Sequence, residues 1–170
     1  MMRDQMVFHT SEDEAEQECA RMCRKGEVEA VLTEDIDALV FGAPLVIRGI
    51  TTMEPSMMRL DDILRGLDMT PERFLDVCIL SGSDFTPKPA GFGPATSVKA
   101  LTKYESLVYM CMHPKECFGK WSDSEWMGFA NAVKDAWNKF ADNWIEGTGE
   151  WPMVSARTWP DLLVTCSLTG

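Results

Sequence analysis

Between residues 28 and 48 two short apolar runs flank an acidic turn, and that arrangement limits the folds open to the chain. Val28-Glu29-Ala30-Val31-Leu32-Thr33 and Leu45-Val46-Ile47-Arg48 have strand length. Glu34-Asp35-Ile36-Asp37 lies between them, followed by the apolar Ala38-Leu39-Val40-Phe41 and Gly42. Upstream, residues 11–25 read as a helix. Ala15, Cys19, Met22 and Cys23 share one face, acids crowd the first turn, Arg21, Arg24 and Lys25 the last, and Gly26 stops it. Helix, strand, acidic loop and strand together predict an α/β layer with a small parallel sheet.

Beyond Pro55 the strand signals fade and helical ones take over. Leu60, Ile63, Leu64 and Leu67 mark one helix, and Thr70-Pro71-Glu72 opens another, with Thr70 as N-cap and Pro71 in first position. Glycine and proline punctuate residues 85–93 before Pro94 starts a helix through Val98, Leu101 and Tyr104. From Asp123 to Trp144, the residues Trp126, Ala130, Val133, Trp137, Phe140 and Trp144 recur at spacings of four and three, predicting a strongly amphipathic helix. This stripe could stack unpaired bases, but burial against neighbouring helices is the simpler expectation. The last 25 or so residues lack a period and are expected to be irregular.

The formal charge is −11, unevenly spread: residues 1–83 carry 17 acids against 8 bases, residues 84–104 carry 1 against 3, and residues 105–170 carry 9 against 5. Such a balance argues against a simple nucleic-acid clamp, because affinity for a polyanion comes largely from Lys and Arg. It suits a site whose carboxylates hold divalent cations, since bound metal reverses the local sign. No apolar stretch approaches the roughly 20 residues needed to span a bilayer, so no membrane role is expected and the chain reads as intracellular. The six cysteines sit within apolar patterns and read as buried, reduced thiols. His9 and His113 are isolated and read as surface or packing residues.

Three acidic motifs stand apart: Asp13-Glu14-Ala15-Glu16 at a helix start, Glu34-Asp35-Ile36-Asp37 after a strand, and Ser83-Asp84 after a helix. Glu14 with Glu16, and Asp35 with Asp37, are two residues apart, a spacing whose side chains converge only at an irregular terminus or loop. Open α/β sheets collect ligands past the carboxyl ends of their strands, where Asp35 and Asp37 fall. Acids at helix starts and turns usually serve the dipole or face water, and for either pair alone that is the simpler reading. Two such pairs in order, with Gly82-Ser83-Asp84 and Gly91-Phe92-Gly93-Pro94 downstream, shift the balance.

Over about residues 11–110 the sequence resembles the XPG and flap endonuclease family of structure-specific 5′ nucleases. The resemblance is carried by Glu14-Ala15-Glu16 with Cys19-Ala20, Thr33-Glu34-Asp35-Ile36-Asp37 with Phe41-Gly42-Ala43-Pro44, Phe74 to Leu80, Gly82-Ser83-Asp84-Phe85, and Gly91-Phe92-Gly93-Pro94. It implies a partial PIN-like 5′ nuclease layer over residues 1–83, a helix–two-turn–helix element over 84–112 and a carboxyl-terminal helical region over 113–170. The implied activity is a two-metal phosphodiesterase acting on branched or flapped DNA in replication or repair. Glu14, Glu16, Asp35, Asp37 and Asp84 would hold two Mg²⁺ or Mn²⁺ ions, with Asp35, Asp37 and Asp84 central to catalysis. Hard oxygen ligands without nearby His or thiol favour these ions over Zn²⁺. Lys88, Gly91, Gly93, Lys99 and Lys103 would contact the DNA backbone. The family often binds a monovalent cation such as K⁺ at that turn, whereas here Pro87 and Pro89 stiffen the loop, and Ala95 and Thr96 stand where basic residues are typical.

Family members also carry an amino-terminal segment with a central strand and two further metal-binding aspartates. Nothing before Ser11 is expected to supply it, so a separate chain is a candidate source, and a non-catalytic remnant binding nucleic acid or a partner chain is the alternative to an active nuclease. An unrelated α/β protein binding Ca²⁺ structurally is a more distant one. No glutamine and aromatic sliding-clamp box is seen at the carboxyl end. The resemblance implies a nucleus or viral replication site as the setting.

Overall fold

The computed structural model describes residues 8–12, 14–119 and 121–145. Asp13 and the stretch after residue 145, including the expected irregular tail, lie outside the described residues. The order is α1 (Ala15–Arg24), β1 (Val31–Leu32), α2 (Asp37–Val40), β2 (Leu45–Arg48), β3 (Ser56–Arg59), α3 (Leu60–Leu67), α4 (Pro71–Ser81), α5 (Pro94–Tyr104), α6 (Leu107–Met112), α7 (Pro114–Cys117) and α8 (Asp123–Ile145).

The three strands form one sheet in the order β1-β2-β3. β1 and β2 are parallel, with Val31 opposite Val46, as the layer predicted. Residues 33–44, which include α2, make the crossover that a parallel pair requires. The sheet is mixed rather than purely parallel. β3, where strand signals had faded, runs antiparallel to β2 from Ser56 opposite Arg48 to Arg59 opposite Leu45. The reversal between them contains Gly49 at φ +76°, where a Cβ would meet the Glu54 carbonyl oxygen at 2.3 Å. Only glycine fits that approach.

α1 begins at Ala15 rather than Ser11, and its buried face differs from the one expected. Ala15 and Cys19 are exposed, whereas Ala20, Cys23 and Arg24 are buried. The thiols are accordingly mixed: Cys23 and Cys111 are buried, Cys78 and Cys117 are partly covered, and Cys19 faces solvent. Arg24 explains the rotation of the helix, because its guanidinium leaves the surface to donate to the Phe41 carbonyl at 2.6 Å. On the flank, Arg21 holds Glu18 through two hydrogen bonds of 2.6 and 2.7 Å, which keep that carboxyl down at about 2.

α4 starts as predicted, with the Thr70 hydroxyl accepting from the Arg73 amide at 3.3 Å and Pro71 in first position. α8 supplies the broadest apolar face. Trp126, Phe129, Ala130, Val133, Trp137, Phe140 and Trp144 are all buried, so the stripe is core and not a stacking platform. α8 packs chiefly on α4. The rings of Phe41, Phe85 and Phe140 meet with centroid separations of 4.9 to 6.0 Å, which ties the end of α2 and the loop after α4 to α8.

Candidate active site

The acidic turn after β1 folds by local hydrogen bonds. Thr33 Oγ1 accepts from the Asp35 amide at 3.0 Å, and Asp35 Oδ1 accepts from the Asp37 amide at 2.9 Å, so two short polar side chains set the entry to α2. Glu34 turns the other way, accepting from the Gly49 amide at 3.1 and 3.2 Å and from Thr51 Oγ1 at 3.2 Å. Asp35 is exposed and Asp37 half-buried at the head of α2.

The far end of α2 is clamped from both sides. Trp144 Nε1 donates to the Val40 carbonyl at 2.8 Å, and Arg24 Nη1 serves Phe41, so a four-residue helix with little stability of its own has its last carbonyls met by α8 and α1. Gly42, at φ +83°, lets both donors in, since a Cβ there would stand 3.0 Å from the Trp144 ring and 3.2 Å from Arg24 Nη1.

Asp84 sits in the turn after α4. Ser83 and Thr86 exchange backbone hydrogen bonds of 3.3 and 3.2 Å across it, and Thr86 Oγ1 donates to the Ile79 carbonyl at 3.2 Å. Gly82, at φ +90°, packs so closely on Lys88 that a Cβ would lie 2.6 Å from the lysine Cβ. Phe85 anchors the turn in the aromatic trio, which leaves Asp84 exposed.

These elements give Asp37 an unusual environment. Burial, and then the carboxylates of Asp35, Asp84 and Glu16, push its carboxyl from 3.8 up to about 6. Beneath it, Cys78 is pushed up to about 12 by burial and by Asp37 itself. The structure thus brings Glu16, Asp35, Asp37 and Asp84 into one electrostatic neighbourhood. Glu14 is drawn elsewhere, its Oε1 lying 3.6 Å from Lys139 Nζ on α8. The donor chemistry, carboxylate oxygens repelling one another, fits a hard divalent cation. Among the described residues, however, no three His, Cys, Asp or Glu side chains stand close enough to share one ion.

At the expected DNA-contacting element, Gly91 takes φ +85° and Gly93 is the N-cap of α5, whose first turn has no side-chain cap. Phe92 packs on Phe118 at 5.5 Å, seating the turn. Lys88, Lys99 and Lys103 are exposed, and Lys103 Nζ donates to the Tyr104 hydroxyl at 2.7 Å. His9 and His113 are exposed; His9 pairs with Glu18 at 2.9 Å, and His113 stacks on Tyr109 at 4.0 Å.

Sequence reasoning missed three residues here: Arg24, Trp144 and Lys139. The period of α8 marked Trp144 as core but could not say which carbonyl its indole would meet. Nothing marked Lys139 as the base that pairs with Glu14.

Residues 5–84 match the family model of the XPG I-region. Flap endonuclease 1-2 of Paramecium tetraurelia is 41% identical over 102 residues, which cover 59% of this chain and 26% of that relative. Flap endonuclease 1-A of Laccaria bicolor is 37% identical over 121 residues, covering 66% and 31%. The chain therefore spans about a quarter to a third of the length of these relatives. Among solved structures, the catalytic core of Rad2 in complex with DNA substrate aligns with a TM-score of 0.58 at 19% identity, over 91% of this chain and 54% of that one. Flap endonuclease-1 from Methanococcus jannaschii aligns with a TM-score of 0.51 at 23% identity, over 76% and 52%. At these identities the structural likeness speaks for the fold.

Proposed function

We propose, from the match of residues 5–84 to the XPG I-region and the likeness to flap endonucleases, that the chain is a divalent-metal-dependent, structure-specific 5′ nuclease segment acting on branched or flapped DNA. The observation that carries this reading is the Asp37 carboxyl, raised to about 6 by burial and by Asp35, Asp84 and Glu16. Repelling carboxylates drawn into one neighbourhood do not serve stability, and the sequence resemblance implies the family's metal-ligand positions at these same residues.

In this reading Glu14, Glu16, Asp35, Asp37 and Asp84 hold two Mg²⁺ or Mn²⁺ ions, with Asp35, Asp37 and Asp84 nearest the chemistry. When bound, such ions acidify water and neutralise the phosphate. The chain's own residues do the positioning. Asp35 orders the start of α2 through its bond to the Asp37 amide, Arg24 and Trp144 fix the other end, and Phe85 holds the Asp84 turn against α8. Residues 84–112 form the duplex grip, with the Gly91 and Gly93 turn facing backbone phosphates and Lys88, Lys99 and Lys103 neutralising them. In the carboxyl-terminal region α8 braces the nuclease layer by packing on α4. The edge strand β1, whose Leu32 is 62% exposed, leaves a place for one further strand, supplied by further residues or by a separate chain. An intracellular site of DNA processing is the corresponding setting.

The test is incubation of the purified chain with a 5′-flap duplex and Mg²⁺ or Mn²⁺, beside Asp35→Asn. Metal-dependent cleavage that Asp35→Asn abolishes is expected, and a chain inert under every metal condition refutes nuclease activity for this segment. A second reading, a non-catalytic remnant, is favoured by Glu14 being paired with Lys139 and by the lack of three converging ligands among the described residues. Duplex binding without cleavage selects it.

A further inference from the structure

Lys139 is a base in contact with Glu14 and with the ring of Phe85, the residue after Asp84, and its place is set by packing. It projects from α8 beside the buried Trp137 and Phe140, and its side chain is only 31% exposed. Its ammonium stands 4.4 Å from the centre of the Phe85 ring and 3.6 Å from Glu14 Oε1. Phe85 directly follows Asp84 and its ring, which carries the ammonium, packs on both Phe41 and Phe140. A cation over an aromatic face is held in addition to any ion pair it makes. Glu14, meanwhile, is absent from the carboxylates that act on Asp37, which are Asp35, Asp84 and Glu16.

We infer that Lys139 is a positioning residue that acts as a built-in counter-ion for Glu14 and competes with divalent cations for that carboxylate. The inference rests on the reading of the five acids as a cation site. An ammonium and a divalent ion repel each other, and they cannot both take close possession of the same oxygen pair. Cation entry therefore requires the Lys139–Glu14 pair to open, and α8 sets the threshold at which the site fills. Partly exposed ion pairs of this kind correspond to about a two- to fivefold change in an equilibrium constant.

The experiment is Mn²⁺ titration of the full chain by calorimetry and by the electron paramagnetic resonance signal of free Mn²⁺, for wild type, Lys139→Met, Lys139→Arg, Glu14→Gln and the Lys139→Met, Glu14→Gln double variant. Methionine keeps the packed stem and removes the charge; Lys139→Gln serves as a second neutral variant should methionine perturb folding, which circular dichroism detects. Lys139→Met is expected to bind Mn²⁺ about two- to fivefold more tightly. Lys139→Arg stays at the wild-type affinity, and Lys139→Met adds nothing once Glu14 is neutral. Unchanged or weaker binding in both neutral variants overturns the inference alone. An equal gain in the Glu14→Gln background does so too, since the charge would then act without Glu14. If neither wild type nor any variant takes up Mn²⁺, the cation-site reading fails and the inference falls with it.

Discussion

Neutralising Asp37 should make the metal-free protein more stable. Its carboxyl is raised from 3.8 to about 6, chiefly by burial and then by Asp35, Asp84 and Glu16. A rise of that size corresponds to at most about 3 kcal/mol, and because Asp37 is only half-buried, solvent screening reduces this to about 1–2 kcal/mol. Asp37 also stands at the start of α2, where a negative charge is favourable by about 0.3–1 kcal/mol. The net gain expected for Asp37→Asn at pH 7.5 is therefore about 1 kcal/mol, or roughly 2–4 °C in melting temperature for a chain of this size. The sign with pH follows from linkage. A carboxyl whose folded pKa lies above its unfolded one favours folding fully below pH 3.8, and that advantage is lost as pH rises through about 6. The gain from Asp37→Asn should accordingly grow between pH 4 and pH 7 and vanish at the acid end. Urea unfolding in EDTA across that range measures it. A variant that is no more stable than wild type at pH 7.5, or whose gain is the same at pH 4, refutes the account of a carboxyl raised by burial and by its acidic neighbours.

Two further outcomes test how the site is braced. Gly82→Ala places a Cβ 2.6 Å from Lys88 Cβ at φ +90° and should cost about 2–3 kcal/mol in urea unfolding. A neutral result would mean that the Asp84 turn yields readily. Trp144→Phe keeps the buried ring but removes the donor to the Val40 carbonyl, for an expected loss of about 1–2 kcal/mol, and raised amide exchange over residues 37–42 should accompany it.

The elements most legible in the sequence are those that one signal determines. Thr70 and Pro71 wrote the start of α4, and the spacing from Trp126 to Trp144 wrote α8 to within a residue of its observed end. β3 was illegible because Ser56-Met57-Met58-Arg59 has neither branched residues nor a clear alternation. It forms because β2 offers an edge within reach of a tight reversal. The face of α1 was misread because a buried arginine takes a place that a pattern of apolar residues cannot assign. At the candidate site, no periodicity linked Glu16, Asp35, Asp37 and Asp84. Family resemblance named them, and the fold supplies the electrostatic contact between them. Lys139 required knowledge of how α8 docks, which helical period leaves open.

The bond from Trp144 to Val40 joins residues 104 positions apart. A growing polypeptide emerges in order, so the acidic turn leaves the ribosome long before the indole that secures the helix behind it. Until α8 has been made, that one-turn helix lacks its rear support, and the carboxylates that lean on it have no fixed bearing. Ordering of the acidic turn is in this way deferred until α8 has been made, since this long-range contact must wait for both of its partners.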